Sequence, residues 1–362
     1  MNGALPVLLD VQSLHPGTPA TGTASYAGGL LGALAILDGL DLAALCAPGT
    51  VLPTGVRAIE VTRSATAPRA QVMEQALRLP IEVRRHRHGR TVFHNLAFHA
   101  PPGLPHPWVQ TLHDVIPLAY PSPDLAALRR RWRRLAPRYR SADAVIAVSH
   151  HAARDGIAHL GLRPERVHVA HHGVDPAFVP GAGPADPPYL LALGEESLRK
   201  GFADAFTLID ELADAGYPHR LVVVGRDRTA RLERLRAASR HPQRIELLGL
   251  VPDVVPLYQG STALVMTSRY EGFGLPTLEA MACGVPVVAF ANSAVTEVAD
   301  GAAVLVADGD RSALLAAVRQ VLNTPALATE LGERGLDHAA SYTWARSAVL
   351  HREVYRSVAE PG

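Results

Sequence analysis

Short apolar runs recur along this chain, and their spacing suits one architecture above others. The first half carries Pro6-Val7-Leu8-Leu9, Val92-Phe93, Trp108-Val109-Gln110-Thr111-Leu112 and the run 144–148. The second half carries 189–193, 221–224, 245–248, 263–266 and 286–290. Each has strand length, and several are apolar on both faces with β-branched residues, the mark of buried parallel strands. Segments with helical periodicity, such as 202–215 and 228–238, lie between them. Strand and helix in alternation imply an α/β chain with doubly wound parallel sheets.

At about 150 residues per domain, 362 residues make two domains. The stretch 178–188 holds four prolines and two glycines without periodicity and reads as a linker. The expected division is 1–180 and 181–344, with an amphipathic helix near 345–362 packing back on the first domain. A hydrophobic fraction of 48% with 19% charged residues excludes disorder as the main state. Two cysteines, Cys46 and Cys283, make no disulfide framework, and a reducing cytoplasm is the simple reading. The start MNGALPVLLDVQ lacks the basic residues of a secretory signal. No run approaches the roughly 18 apolar residues of a membrane span.

The net charge of +1 is unevenly distributed. Residues 1–183 hold 18 arginines against 12 acids, a balance of +6, and the remainder carries −5. Two arginine-rich runs, 84–90 and 129–140, either attract an anionic membrane surface as a peripheral contact or form solvated helix faces. No recognised nucleic-acid module accompanies that charge, so nucleic acid is not an expected partner. Among 35 basic residues only Lys200 is a lysine, which marks a place where a compact ammonium is wanted.

The most informative stretch is Ser268-Arg-Tyr-Glu271-Gly272-Phe273-Gly274-Leu275-Pro276-Thr-Leu-Glu279-Ala-Met-Ala-Cys-Gly284-Val-Pro286. It follows an apolar strand. Gly272 and Gly274 permit close approach of a ligand to the backbone, and Pro276 suits the first helical position. Gly284 suits the residue past the helix end. The helix start then offers free N–H groups to an anion such as a diphosphate. Glu279 is placed on the first turn, able to accept hydrogen bonds from a ribose diol, and Glu271 on the loop, able to meet hydroxyls of a second sugar. A plain packing turn with two exposed acids is the other reading of these residues.

This stretch, with its two glutamates in register, resembles the signature of glycosyltransferase family 4, the retaining GT-B enzymes. The resemblance continues along nearly the whole chain. Leu193-Gly194-Glu195-Glu196-Ser197-Leu198-Arg199-Lys200-Gly201 looks like the family segment whose basic pair clamps the donor diphosphate. Glu195 stands where some members carry a further arginine. Leu221–Gly225 and Leu248-Gly249-Leu-Val251 look like the strand ends that line the base. Ala291-Asn-Ser-Ala-Val-Thr-Glu297-Val resembles the segment after the signature. In the first half, Thr111-Leu112-His113-Asp114 resembles the family's His-Asp segment, with His113 on the transferred sugar and Asp114 as an orienting or capping group. Gly17–Tyr26 looks like the first glycine loop, with Gly22-Thr23 in place of the usual pair of glycines.

The resemblance implies a GT-B fold, two Rossmann-like domains facing a cleft, the first on the acceptor side and the second binding the nucleotide sugar. It implies a retaining transfer of a hexose from a nucleoside diphosphate sugar to a hydroxyl acceptor. His113, Glu271, Arg199 and Lys200 would be the catalytic group. Gly22, Gly225, Gly249, Phe273, Gly274, Leu275 and Glu279 would bind the donor. No metal or other cofactor is expected, because such sites place cations and a helix start where other glycosyltransferases use a metal. The His-Asp segment with the Gly-x4-Arg-Lys spacing looks most like mannosyltransferase members, which makes GDP-mannose the expected donor and a UDP-hexose the next. A catalytically idle scaffold of the same fold and a sugar-nucleotide epimerase are the competing readings.

Overall fold

The computed structural model describes residues 3–14, 22–62 and 78–360. The expected glycine loop lies largely outside these residues, since only Gly22 onward is described. The chain forms two compact units. The first comprises Met1–Ala119, Ala126–Gly173 and Thr343–Gly362. The second comprises Tyr120–Leu125 and Val174–Tyr342.

The first unit is built on seven parallel strands: β1 (Leu5–Asp10), β2 (Leu40–Cys46), β3 (Arg57–Glu60), β4 (Val92–Asn95), β5 (Trp108–Leu112), β6 (Ala144–Ala147) and β7 (Val167–Val169). Their order in the sheet is β3-β2-β1-β4-β5-β6-β7. Strands β4, β5 and β6 are buried at every position, and their buried polar members pair with each other, His94 with Thr111 and Asn95 with Gln110. The helix His150–Leu160 shows why local sequence sets its limits. Ser149 caps it by accepting from the Ala152 amide, and Gly161 ends it in the left-handed region. The final helix, Trp344–Ala359, is part of this unit and packs on the helix Gly22–Ala35.

The second unit holds six parallel strands: β8 (Tyr189–Leu193), β9 (Arg220–Val224), β10 (Ile245–Gly249), β11 (Ala263–Met266), β12 (Val287–Ala291) and β13 (Val304–Ala307). Their order is β10-β9-β8-β11-β12-β13. The core of this unit gathers Leu190, Val223, Val265 and Phe290 from the sheet, with Phe206, Ile209 and Val318 from helices. Each such buried side chain contributes about 1.5–3 kcal/mol. In both units the strand order reverses direction beside the first strand, at β1/β4 and at β8/β11. That arrangement is Rossmann-like, and ligands sit outside the carboxyl ends of strands at such a switch point.

The proline-rich stretch 178–188 is not a free connector. Phe178 packs edge-on against Tyr258, Gln259 donates to the Val179 carbonyl at 2.9 Å, and the Ala185 amide donates to the Gly260 carbonyl at 2.9 Å. The second unit therefore begins at Val174, earlier than the expected 180/181 division.

Candidate functional site

The β8/β11 switch point brings together residues far apart in sequence. After β8 the chain turns through Leu198–Lys200, a single 3-10 turn, into the helix Phe202–Asp214. After β11 it runs through Ser268–Gly274 into the helix Leu275–Ala282. The two connections are tied to each other. Thr267 Oγ1 donates to the Lys200 carbonyl at 2.9 Å, and the Arg269 amide donates to the Arg199 carbonyl at 2.7 Å.

Across this tie the side chains meet. Lys200 Nζ lies 2.6 Å from Glu271 Oε1, and an Arg199 guanidinium nitrogen lies 3.1 Å from Glu271 Oε2. Arg199 also donates to the Tyr270 carbonyl at 2.9 Å. Lys200 and Glu271 are each 8% exposed. Burial works to raise the Glu271 carboxyl, but Lys200, Arg199 and a bond from Ser268 outweigh it and hold the group at about 2. Burial pulls the Lys200 ammonium down, and Glu271 only partly restores it. The site thus gathers two cations and one anion, with Lys200 and Glu271 buried and Arg199 partly exposed, and one positive charge of the three is in excess for an incoming ligand.

Glycine makes this geometry possible. A Cβ at Gly194 would sit 2.6 Å from Lys200 Cε, so only glycine there leaves room for the lysine stem. Gly225 has φ +151, and a Cβ on it would run into the Gly194 carbonyl oxygen. The Gly225 amide in turn donates to the Gly249 carbonyl at 2.8 Å. Gly194, Gly225 and Gly249 form a row of side-chain-free backbone at the carboxyl edge of β8, β9 and β10.

Beyond β11, Gly274 precedes the helix Leu275–Ala282 without a side-chain cap; Pro276 has no N–H and the Thr277 amide donates to the Gly274 carbonyl at 2.9 Å, which leaves the Leu275 amide as the donor this helix start offers an anion. Pro276 is the second helical residue and Glu279 the fifth, one turn deeper than the first-turn placement expected for it. Phe273 is buried, edge-on to Tyr342. Glu279 Oε2 accepts from the Tyr258 hydroxyl at 2.6 Å. Burial lifts the Glu279 carboxyl to about 7, with Tyr258 pulling the other way and Asp175 adding to the rise. Two glutamates on one signature are therefore held far apart in acidity by their surroundings. Tyr258 escaped the sequence reading: it sits in the short helix Val255–Gln259, outside every motif, and only its full burial reveals it.

A second depression in this unit, about 360 Å³, is bordered by Tyr120, Glu196, Phe202, Arg231, Arg269 and Arg311. Its arginines are already engaged, Arg269 and Arg311 with Asp204 and Arg231 with Glu196.

His113 and Gly22 belong to the first unit. Gly22 is the exposed first residue of its helix. His113 is buried and donates from Nε2 to the Leu96 carbonyl at 2.8 Å, which fixes the tautomer. It stands edge-on to Tyr26 and beside Phe98. Burial lowers it to about 4, so it is neutral. Asp114 caps the next turn by accepting from the Ile116 amide at 3.0 Å.

Comparisons with known proteins agree with this architecture. Residues 178–338 match the family model described as glycosyl transferases group 1, and residues 46–178 match glycosyltransferase family 4. A D-inositol 3-phosphate glycosyltransferase of Catenulispora acidiphila is 32% identical over 246 residues, 61% of this chain and 59% of the relative. O-antigen chain mannosyltransferase B of Escherichia coli is 39% identical over 102 residues, 28% of this chain and 27% of that protein. The chain thus spans less than two thirds of the length of these curated relatives. Sucrose-phosphate synthase from Thermosynechococcus elongatus superposes with a TM-score of 0.81 at 22% identity, covering 98% of each chain. The fold is GT-B, with two Rossmann-like parallel-sheet domains. With consecutive family models spanning residues 46–338, the chain belongs to glycosyltransferase family 4, the group 1 glycosyl transferases.

Proposed function

We propose that this protein transfers a hexose from a nucleoside diphosphate sugar to a hydroxyl acceptor, with retention at the anomeric carbon. The observation that carries the reading is the buried Lys200–Glu271 pair, joined by Arg199, at the β8/β11 switch point. Cleaving the bond between the anomeric carbon and the donor phosphate leaves negative charge on the diphosphate. Arg199, Lys200 and the Leu275 amide are fixed cations and a fixed dipole suited to that charge, and being preorganised they need no rearrangement as it develops. Glu279 accepts hydrogen bonds from the ribose diol, and Glu271 orients hydroxyls of the transferred sugar. The new bond forms on the face the leaving phosphate vacates, and that phosphate takes the acceptor proton. The chain therefore needs no nucleophile of its own, and its cations stand where a divalent metal would otherwise serve.

Mannose is the sugar we favour, supported by the signature spacing and by the similarity to the Escherichia coli mannosyltransferase. Thermal unfolding with GDP, UDP or ADP, each with and without a chelator, tests the class of donor. A ligand at about 100 times its Kd adds about 2.7 kcal/mol, an easily read shift. A shift with GDP that survives chelation, followed by mannose release from GDP-mannose, is the expected result. A shift with UDP alone replaces the donor, and no shift with any nucleotide overturns the reading.

The arginine runs separate into two kinds. In 84–90, Arg84 donates to the Gly103 carbonyl, Arg87 to Thr91 and Arg90 twice to Ala359, so this run braces the fold. In the helix Ala126–Arg140, Trp132, Leu135, Ala136 and Tyr139 form the buried face. Arg130, Arg133 and Arg134 lie opposite, at i, i+3 and i+4, and are exposed. The helix contains no acid. We assign this face to an anionic lipid surface, each cation adding about 1 kcal/mol. Among the described residues no helix is long and apolar enough to cross a membrane. Sedimentation with phosphatidylglycerol vesicles should fall to the phosphatidylcholine level in R130E/R133E/R134E, and equal binding of both proteins would exclude the assignment.

A further inference from the structure

The loop that carries Glu271 is gripped by the start of the helix Ser293–Val298. The Ser293 hydroxyl accepts from the Glu271 amide at 2.8 Å and donates to Asn292 Oδ1 at 2.9 Å. Asn292 uses both amide hydrogens, donating to the Ser268 carbonyl at 2.8 Å and to Asp308 Oδ1 at 3.0 Å. The Ala294 amide approaches the Glu271 carbonyl at 3.4 Å. Both main-chain polar groups of Glu271 thus face one helix start, and the loop is held again three residues earlier.

Ser293 holds this post in an uncommon conformation. Its φ is +43, and the other non-glycine residue with positive φ among the described residues is Ala230. Glycine adopts such a φ freely, and serine does not. What serine supplies at this position, and glycine lacks, is the hydroxyl. Strained backbone of this kind persists where surrounding contacts over-determine it, and it gathers at functional sites. Here the Ser293 hydroxyl, the Ala294 amide and one Asn292 amide hydrogen all bind the Glu271 loop.

We propose that Ser293 is a positioning residue for Glu271, with Asn292 orienting its hydroxyl. The pair sets where the Glu271 main chain lies, so that its carboxylate meets Lys200 and Arg199 in one geometry and presents the same edge to the bound sugar. The inference rests on the reading of Glu271 as the residue that orients the transferred sugar. Nucleotide binding depends on it far less, because Glu279 lies eight residues further on, inside the helix Leu275–Ala282, and is held there by Tyr258.

Ser293→Gly tests this, since it removes the hydroxyl together with its Cβ and leaves a residue that adopts the positive φ freely. Melting temperature should stay within a few degrees of wild type, and nucleoside diphosphate Kd within about twofold. The donor KM should change little, whereas kcat for sugar release or transfer should fall about 10- to 100-fold, the penalty of a reacting group misplaced by a fraction of an ångström to an ångström. Glu271→Gln and the double variant should then be alike in kcat, because the two residues act as one unit. Wild-type kcat in Ser293→Gly overturns the proposal. So does a matched loss of melting temperature and nucleotide affinity, which is the signature of a merely structural contact. A wild-type protein that binds no nucleotide and turns over no donor overturns the functional reading instead, and this proposal with it.

Discussion

Removing the Tyr258 hydroxyl should move the pH dependence of nucleotide binding, and the size of the shift follows from one hydrogen bond. Glu279 is held near pH 7 by burial, with the 2.6 Å bond from Tyr258 favouring its charged form. A carboxylate accepts both hydrogens of a ribose diol, whereas the protonated acid accepts them poorly. With a midpoint of about 7, roughly a tenth of Glu279 is ionised at pH 6 and roughly nine tenths at pH 8, so Kd should fall about tenfold over that interval. A hydrogen bond to a charged group contributes about 1.5–3 kcal/mol, and 1.36 kcal/mol corresponds to about one pKa unit. Tyr258→Phe should therefore raise the midpoint by about one to two units, to between pH 8 and 9. The assay is isothermal titration from pH 6 to 9 with a nucleoside diphosphate and its 2′,3′-dideoxy counterpart. The diphosphate titrates identically in both, so the difference between them isolates the diol. The same slope for both ligands, or an unmoved midpoint in Tyr258→Phe, would refute the placement of Glu279 on the ribose.

The three tryptophans, Trp108, Trp132 and Trp344, all belong to the first unit, so their fluorescence reports on it selectively. His113 and His351 are buried with pKa values of about 4, and burial also holds His94 and His172 well below the usual imidazole range. The unfolded chain takes up these protons first, near 6.5, so this stability is present above pH 6.5 and is lost as pH falls toward 4. At pH 5 each of His113 and His351 accounts for about 2 kcal/mol of loss, and an emission transition centred near pH 5 is expected. Emission unchanged down to pH 4 would contradict it. Gly225→Ala should cost at least about 3 kcal/mol in urea unfolding, because its Cβ meets the Gly194 carbonyl and its φ is +151. Lys200→Met should destabilise the second unit by about 3 kcal/mol by leaving Glu271 with Arg199 as its remaining cation. Lys200→Met/Glu271→Leu should recover most of that stability but no turnover. Recovery of turnover in the double variant would remove both residues from the proposed chemistry.

Legibility in the sequence follows the range over which each constraint acts. Nine of the thirteen described strands were legible because burial between two helical layers favours short apolar runs, and that demand is met within five residues, as in Tyr189–Leu193, whereas β2, β3, β7 and β13 were not among the runs read as strands. The helix Leu275–Ala282 was legible because Gly274 and Gly284 punctuate it locally. Other features depend on strand order. Lys200 and Glu271 are 71 residues apart and touch because β11 lies beside β8 in the sheet. Tyr258 reaches Glu279 because both connections leave the carboxyl edge of that sheet. The arginine runs make the same point from the opposite side. Their charge can be counted in the sequence, but the count treats Arg90 and Arg134 alike. The fold commits Arg90 to the last carbonyl of the helix Trp344–Ala359, where a cation also meets the negative end of the helix dipole, and leaves Arg134 in solvent. A motif can therefore nominate a residue type for a role, but which of several identical residues is free to perform it is decided by long-range packing. That is why the lone lysine was informative: with a single Lys200 in the chain, packing had no alternative among which to choose.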